Sequence, residues 1–92
     1  MKRNLTKWRN TKKIVASRDN GLCVLCGAIA VDVHHVIYRS HGGKDEPSNC
    51  VCLCRRCHEN AHGLHKYVSA NDIKNVLLKY LSEKNNTDKK DE

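Results

Sequence analysis

The stretch NCVCLCRRCHENAH, Asn49 to His62, decides how this chain folds. It holds the pair Cys54-Arg-Arg-Cys57, and a second pair of the same spacing, Cys23-Val-Leu-Cys26, stands upstream. A Cys-x-x-Cys turn presents two thiolates to one ion, and zinc takes four such ligands in a tetrahedron. Cys23, Cys26, Cys54 and Cys57 are therefore the expected zinc ligands. The 27 residues between the pairs exceed the usual zinc-ribbon spacing but fit a strand, a loop and a strand returning to the start. Cys50 and Cys52 alternate with Val51 and Leu53, so both point to one strand face and read as small buried hydrophobes. Cys52 in place of Cys54 is the alternative, at the cost of a four-residue gap to Cys57. The histidines of the stretch exceed what one zinc needs, which leaves them for a second task.

Working outward, the chain has 92 residues, no Phe, one Trp and three Tyr. A core that small is marginal, and a metal staple is the expected remedy. Six cysteines in an oxidising compartment would instead suggest a disulfide framework. Lys2, Arg3 and Asn4 follow Met1 with no apolar run of signal length, and no stretch approaches the roughly 20 apolar residues of a membrane span. The expectation is a cytoplasmic protein that binds metal through its cysteines and has no membrane partner. The net charge is +7, and seven basic residues against one acid precede Cys23. Such an arm suits a polyanion through phosphate contacts, although a solvated helix face would look the same.

Residues 5–18 read as a helix with Trp8, Ile14, Val15 and Leu5 toward the core, stopped by Asn20-Gly21. Residues 28–37 are rich in β-branched residues and read as a strand, interrupted near His34-His35. Gly42, Gly43 and Pro47 mark 39–48 as a loop, and 49–53 as a short second strand leading into a helix that carries His58 and His62. Ser69 and Asp72 have capping-box spacing for a last helix over 69–83, with Ile73, Val76, Leu77, Tyr80 and Leu81 on one face. The polar tail, 84–92, is expected to be disordered.

Four segments, RDNGLCVLCG (18–27), VDVHHV (31–36), HGGKDEPSN (41–49) and CLCRRCHENAH (52–62), together resemble the HNH family of nucleases. The resemblance covers about half of the chain. It implies a ββα-metal core over 21–66 with two zinc knuckles. With the N-terminal basic helix (1–20) and the C-terminal helix (69–83) read above, which the resemblance does not cover, the expectation is an α+β fold in one domain, 1–83. The resemblance also implies site residues. His35 is then the general base, and Asn49 ties loop to strand and orients that base. His34 and His58 become ligands of a catalytic divalent metal, and His62, matching a His-x-x-x-His arrangement, a third. The activity implied is metal-dependent hydrolysis of DNA phosphodiester bonds, leaving 5′-phosphate ends. Small members of the family suggest a phage source, hence host cytoplasm, with a phage packaging complex or self-association as partner.

Independent physics points the same way. His58 and His62 at i and i+4 share one helical face and can converge on one ion. A histidine with an ordinary pKa near 6.5 suits proton abstraction from water, and a cation suits the scissile phosphate. With imidazoles dominant, the metal is expected to be Ni2+, Mn2+, Co2+ or Zn2+ ahead of Mg2+. Arg39, Lys12, Lys13 and Arg18 are the expected nucleic-acid contacts, and His41 and His65 are read as surface or supporting residues. One conflict stands in the sequence. Neighbours in a regular strand face opposite ways, so His34 and His35 cannot both reach one metal. Either the strand ends or bulges there, or Asp32 and His34 share the metal face. The alternative to a nuclease is a non-catalytic zinc-knuckle protein that binds nucleic acid, for which His34, His35, Asn49 and His58 together would be superfluous.

Overall fold

A computed structural model describes residues 4–90, with side chains through Lys84. Asn4 starts helix α1 (Leu5–Arg18) by accepting the Lys7 backbone N–H at 3.0 Å through its side chain. This satisfies one of the donors that a helix N-terminus leaves open. Asn20 and Gly21 end it at φ values of 59° and 68°, the left-handed region that these two residue types enter most readily. The face that α1 buries differs from the one read in the sequence. Thr11 and Val15 are buried and Trp8 is half-buried, whereas Leu5 and Ile14 are exposed. Positions 8, 11 and 15 follow the helical repeat, and Ile14 lies about 100° around the helix from Val15.

Strands β1 (Asp32–His35) and β2 (Cys50–Leu53) pair antiparallel, with His34 opposite Val51 and His35 opposite Cys50. β1 is shorter than the 28–37 read from the sequence. Residues before it close the first knuckle, where the Cys23 N–H donates to Ala28 O at 2.7 Å and Leu22 bridges Ile29. All of β2 is buried because both sheet faces are covered. Val51 and Leu53 pack with Val36, Ala61, Leu77 and Leu81 on one face. Cys50 and Cys52 pack with Val15, Trp8, Ala30 and Val33 on the other. The two cysteines are thus core residues facing α1.

Helix α2 (Arg55–Ala61) follows β2 directly, with His62 at its C-cap. Helix α3 (Ala70–Lys90) begins where the Ser69 hydroxyl accepts the Asp72 N–H at 3.2 Å. It buries Leu77 and Leu81 and half-buries Ile73 and Tyr80, but Val76 is exposed. Its extent exceeds the expected 69–83. The backbone of 84–90, expected in a disordered tail, continues α3, while the side chains beyond Lys84 and residues 91–92 lie outside the described residues. Among the described residues the fold is thus α+β, three α-helices around a two-stranded sheet. Among the described residues no helix is long and apolar enough to cross a membrane.

A buried polar knot joins these parts. The Asp19 carboxylate accepts from Arg18 Nε at 2.8 Å, from Arg18 Nη2 at 2.9 Å, from the Cys52 N–H at 3.0 Å and from the Tyr80 hydroxyl. Arg18 also donates to Pro47 O at 2.8 Å and Cys50 O at 2.7 Å. One ion pair therefore fastens α1 to β2 and to α3. Burial opposes ionisation of Asp19, yet Arg18, Tyr80 and the Cys52 N–H together hold its pKa below the ordinary 3.8. Arg18 corrects an expectation: its guanidinium is turned inward and engaged with the fold, not presented to phosphate.

Candidate metal and catalytic site

Among the described residues two clusters of ligand-type side chains form, both drawing on α2 and its start. In the first, the sulfurs of Cys23, Cys26, Cys54 and Cys57 lie within 4.8 Å of one another. Cys26 Sγ and Cys54 Sγ are 3.6 Å apart, and all six cysteines are free thiols. A tetrahedral zinc at its usual Zn–S length would separate sulfurs by about 3.8 Å, so this donor set fits zinc. The first knuckle is held against the second by the Val24 N–H, which donates to Cys52 O at 3.1 Å. Four thiols so close oppose one another's ionisation. Burial, then Cys54 and the other two thiols, push the Cys57 pKa up. Burial works against the Cys23 thiolate too, but backbone N–H groups of Cys54, Cys26 and Leu25 draw it down to about 7.

The second cluster is His34, His58 and His62, whose ring nitrogens also lie within 4.8 Å of one another. His34 comes from β1, while His58 and His62 come from one face of α2 and its cap. His58 Nε2 and His62 Nε2 are 3.0 Å apart. Two imidazoles on one ion, at the usual metal–nitrogen length, would lie about 2.9–3.4 Å apart, so this set also fits a metal. His34 is buried, and burial together with His58 and His62 lowers its pKa to about 3. A ring that stays neutral keeps its lone pair for a cation. Burial and His58 also lower the pKa of His62.

The strand settles the conflict noted above without ending early or bulging. Residues 32 to 35 keep regular register, so Asp32 and His34 share the α2 face and His35 takes the α1 face. Asp32 is not part of the three-histidine cluster. Its Oδ2 instead meets His58 Nδ1 at 3.0 Å, which fixes the ring and leaves Nε2 toward His34 and His62. A carboxylate behind a histidine in this way orients a ligand and raises its basicity. Tyr38 supports the cluster from the other side. It stacks on His62 with centroids 5.1 Å apart and donates its hydroxyl to Ala61 O at 2.8 Å.

His35, the last residue of β1, stacks on Trp8 of α1 at 4.7 Å, and its Nε2 lies 2.6 Å from Asp45 Oδ1. It lines one groove together with His34, Tyr38, Arg39, His58 and His62. The Asn49 side chain accepts the Ile37 N–H at 2.8 Å and donates to Ile37 O at 3.0 Å and Lys44 O at 3.1 Å. It thus ties the loop to the end of β1, while the group bonded to His35 is Asp45. Arg39 stands half-exposed at the groove, its Nε 3.6 Å from Asp45 Oδ1. Lys12 and Lys13 are exposed on α1, Lys12 lying over the Trp8 ring at 5.4 Å. His41 is exposed beside Tyr38, and His65 pairs with Glu59 at 2.9 Å. Sequence reasoning missed Trp8, Tyr38 and Asp45 at the site. The signals available were an aromatic three residues after His35 and an acid between the loop glycines and Asn49.

Comparison with known proteins agrees with this geometry. Residues 23–63 match the family model described as HNH endonuclease. The chain is 38% identical over 61 aligned positions to a type IV methyl-directed restriction enzyme, EcoKMcrA, of Escherichia coli (strain K12). That alignment covers 55% of this chain and 22% of the relative, so the chain spans about a fifth of that protein's length. The matched segment begins at the first cysteine ligand candidate and ends one residue after His62, taking in both clusters, His35 and Asn49. Residues 23–63, which hold the ββα arrangement of β1, β2 and α2, are thus similar to the HNH endonuclease family, and the match leaves out the two flanking helices.

Proposed function

We propose that the chain is a metal-dependent endonuclease that hydrolyses DNA phosphodiester bonds. In this reading Cys23, Cys26, Cys54 and Cys57 hold a structural zinc, and His34, His58 and His62 hold a catalytic divalent cation. His35 takes the proton of the attacking water. The observation that carries the reading is the three-imidazole cluster on the wall of the groove that His35 also lines. Binding of nucleic acid alone needs neither. When bound, the cation supplies positive charge to the scissile phosphate and to the leaving oxygen.

The chain's own residues divide the remaining work. Asn49 pins the loop beneath His35, and Asp32 sets the ring of His58. Arg39 lies at the groove edge where a phosphate would pass, and Lys12 and Lys13 face solvent on α1 for backbone contacts farther along. Three neutral nitrogen donors favour Ni2+, Co2+, Zn2+ or Mn2+ over Mg2+, which prefers oxygen ligands.

A nicking assay on supercoiled plasmid with Mg2+, Mn2+, Co2+, Ni2+ and Zn2+, with metal content measured in parallel, tests the reading. Nicking is expected with the transition metals. His35→Ala is expected to abolish it while the zinc content and the far-ultraviolet circular dichroism stay unchanged. Undiminished cutting by His35→Ala would refute the mechanism. Zinc and DNA binding without nicking under any cation would instead identify a non-catalytic zinc-knuckle protein.

A further inference from the structure

We infer that Asp45 is a positioning residue for His35, and that α1, which lies outside the matched domain, holds the pair in place. This rests on the general-base reading above and names the group that would make His35 competent. The contact is short, His35 Nε2 to Asp45 Oδ1 at 2.6 Å, with both side chains mostly buried, 14% and 11% exposed. A carboxylate can only accept, so Nε2 carries the ring hydrogen. The lone pair of the neutral imidazole then sits on Nδ1, which is the atom that receives the proton of the attacking water. Without the carboxylate the two tautomers would exchange, and a share of molecules would carry hydrogen on the nitrogen that must accept one.

The surroundings of Asp45 are built to keep it there. The Thr11 hydroxyl, buried on α1, donates to the Asp45 carbonyl oxygen at 2.8 Å. The residue before Asp45 is tied through Lys44 O to Asn49. The Gly43 N–H donates to Tyr38 O at 2.9 Å, and a Cβ at Gly43 would come within 1.7 Å of Ile37 O, so only glycine lets the loop lie this close. Trp8, one turn before Thr11, stacks on the flat of the His35 ring and sets its plane. One helix therefore fixes the imidazole twice, by its face through Trp8 and by its edge through Thr11 and Asp45.

The test uses the zinc-loaded full chain with Asp45→Ala and Asp45→Glu, read in two ways. Ring-nitrogen NMR at mildly alkaline pH should show His35 protonated at Nε2 in the unsubstituted protein and a mixture of tautomers in Asp45→Ala. Plasmid nicking should show kcat about 10–100-fold lower in Asp45→Ala with KM unchanged, and substantial recovery in Asp45→Glu. The Thr11 bond goes to the Asp45 main chain, so the alanine variant keeps that anchor, and zinc content and circular dichroism check it. Unchanged ring-nitrogen signals in Asp45→Ala overturn the inference, and so does an unchanged kcat. If the unsubstituted protein fails to nick with every cation tried, the nuclease reading falls, while the ring-nitrogen spectrum still decides whether Asp45 sets the tautomer.

Discussion

Asp32 shows how much a single carboxylate decides in this protein. It is half-buried on the α2 face of β1 and bonds the one nitrogen of His58 that the cluster does not use. Asp32→Ala should therefore weaken Mn2+ or Ni2+ at the histidine cluster by about 10–100-fold while leaving the four-cysteine site filled. Calorimetric titration of zinc-loaded protein would measure it, and unchanged affinity would show that His58 needs no such support. The histidines themselves were legible in the sequence because i, i+4 spacing on a helix brings rings together by local geometry alone. Asp32 was legible only as a residue able to share a face with His34, not as the partner of His58, and Asp45 was not legible. Their partners lie 26 and 10 residues away in sequence, and only the folded hairpin brings them into reach. Arg18 failed for the same reason: a basic residue in a basic arm looks like a phosphate ligand until a buried carboxylate is seen beside it.

Among the elements, α1 shows where local rules end. Its limits at residues 5 and 18 were readable, the end from the Asn20-Gly21 stop, whereas the Asn4 cap was seen only in the structure. Its buried face was not readable, because so few apolar residues leave the pattern underdetermined and a threonine takes a core position by bonding Asp45. The end of α1 is fixed by the Arg18–Asp19–Tyr80 knot, and Asp19 has no exposed side-chain surface. Asp19→Ala leaves a buried guanidinium and an uncapped Cys52 N–H, so urea unfolding should show a loss of about 3 kcal/mol. The pH dependence has a definite sign. A carboxylate whose pKa is lower folded than unfolded stabilises the fold above its ordinary 3.8 and loses that contribution as pH falls through its folded value. The gap between the protein and Asp19→Ala should thus be full near neutrality and narrow in acid. A gap that widens in acid would mean that Asp19 is not ionised in the fold.

The whole molecule is organised as a thin sheet stapled at one end. The four-cysteine cluster joins residues 23–26 to 54–57, and β2, buried throughout, leads straight into it. In a chain of 92 residues with no Phe, little else closes that end. Strong chelation is therefore expected to unfold the protein cooperatively, with loss of helicity by circular dichroism and recovery on adding zinc. His62→Ala should lose only the second metal and keep the fold. Helicity unchanged after zinc removal would show that the apolar core suffices. The staple was fully legible from cysteine spacing, since four thiols in two tight turns have few other arrangements, whereas the covering of both sheet faces needed the structure.

The alternation in β1 carries a consequence for how the chain can vary in length. His34 and His35 each face a different helix, and that depends on odd and even places along four residues. Removing or adding one residue between Asp32 and His35 would turn the histidine of each face onto the other. The ring meant for the cluster would meet Trp8, and the ring meant for Asp45 would meet α2. The span 32–35 therefore tolerates no change in count.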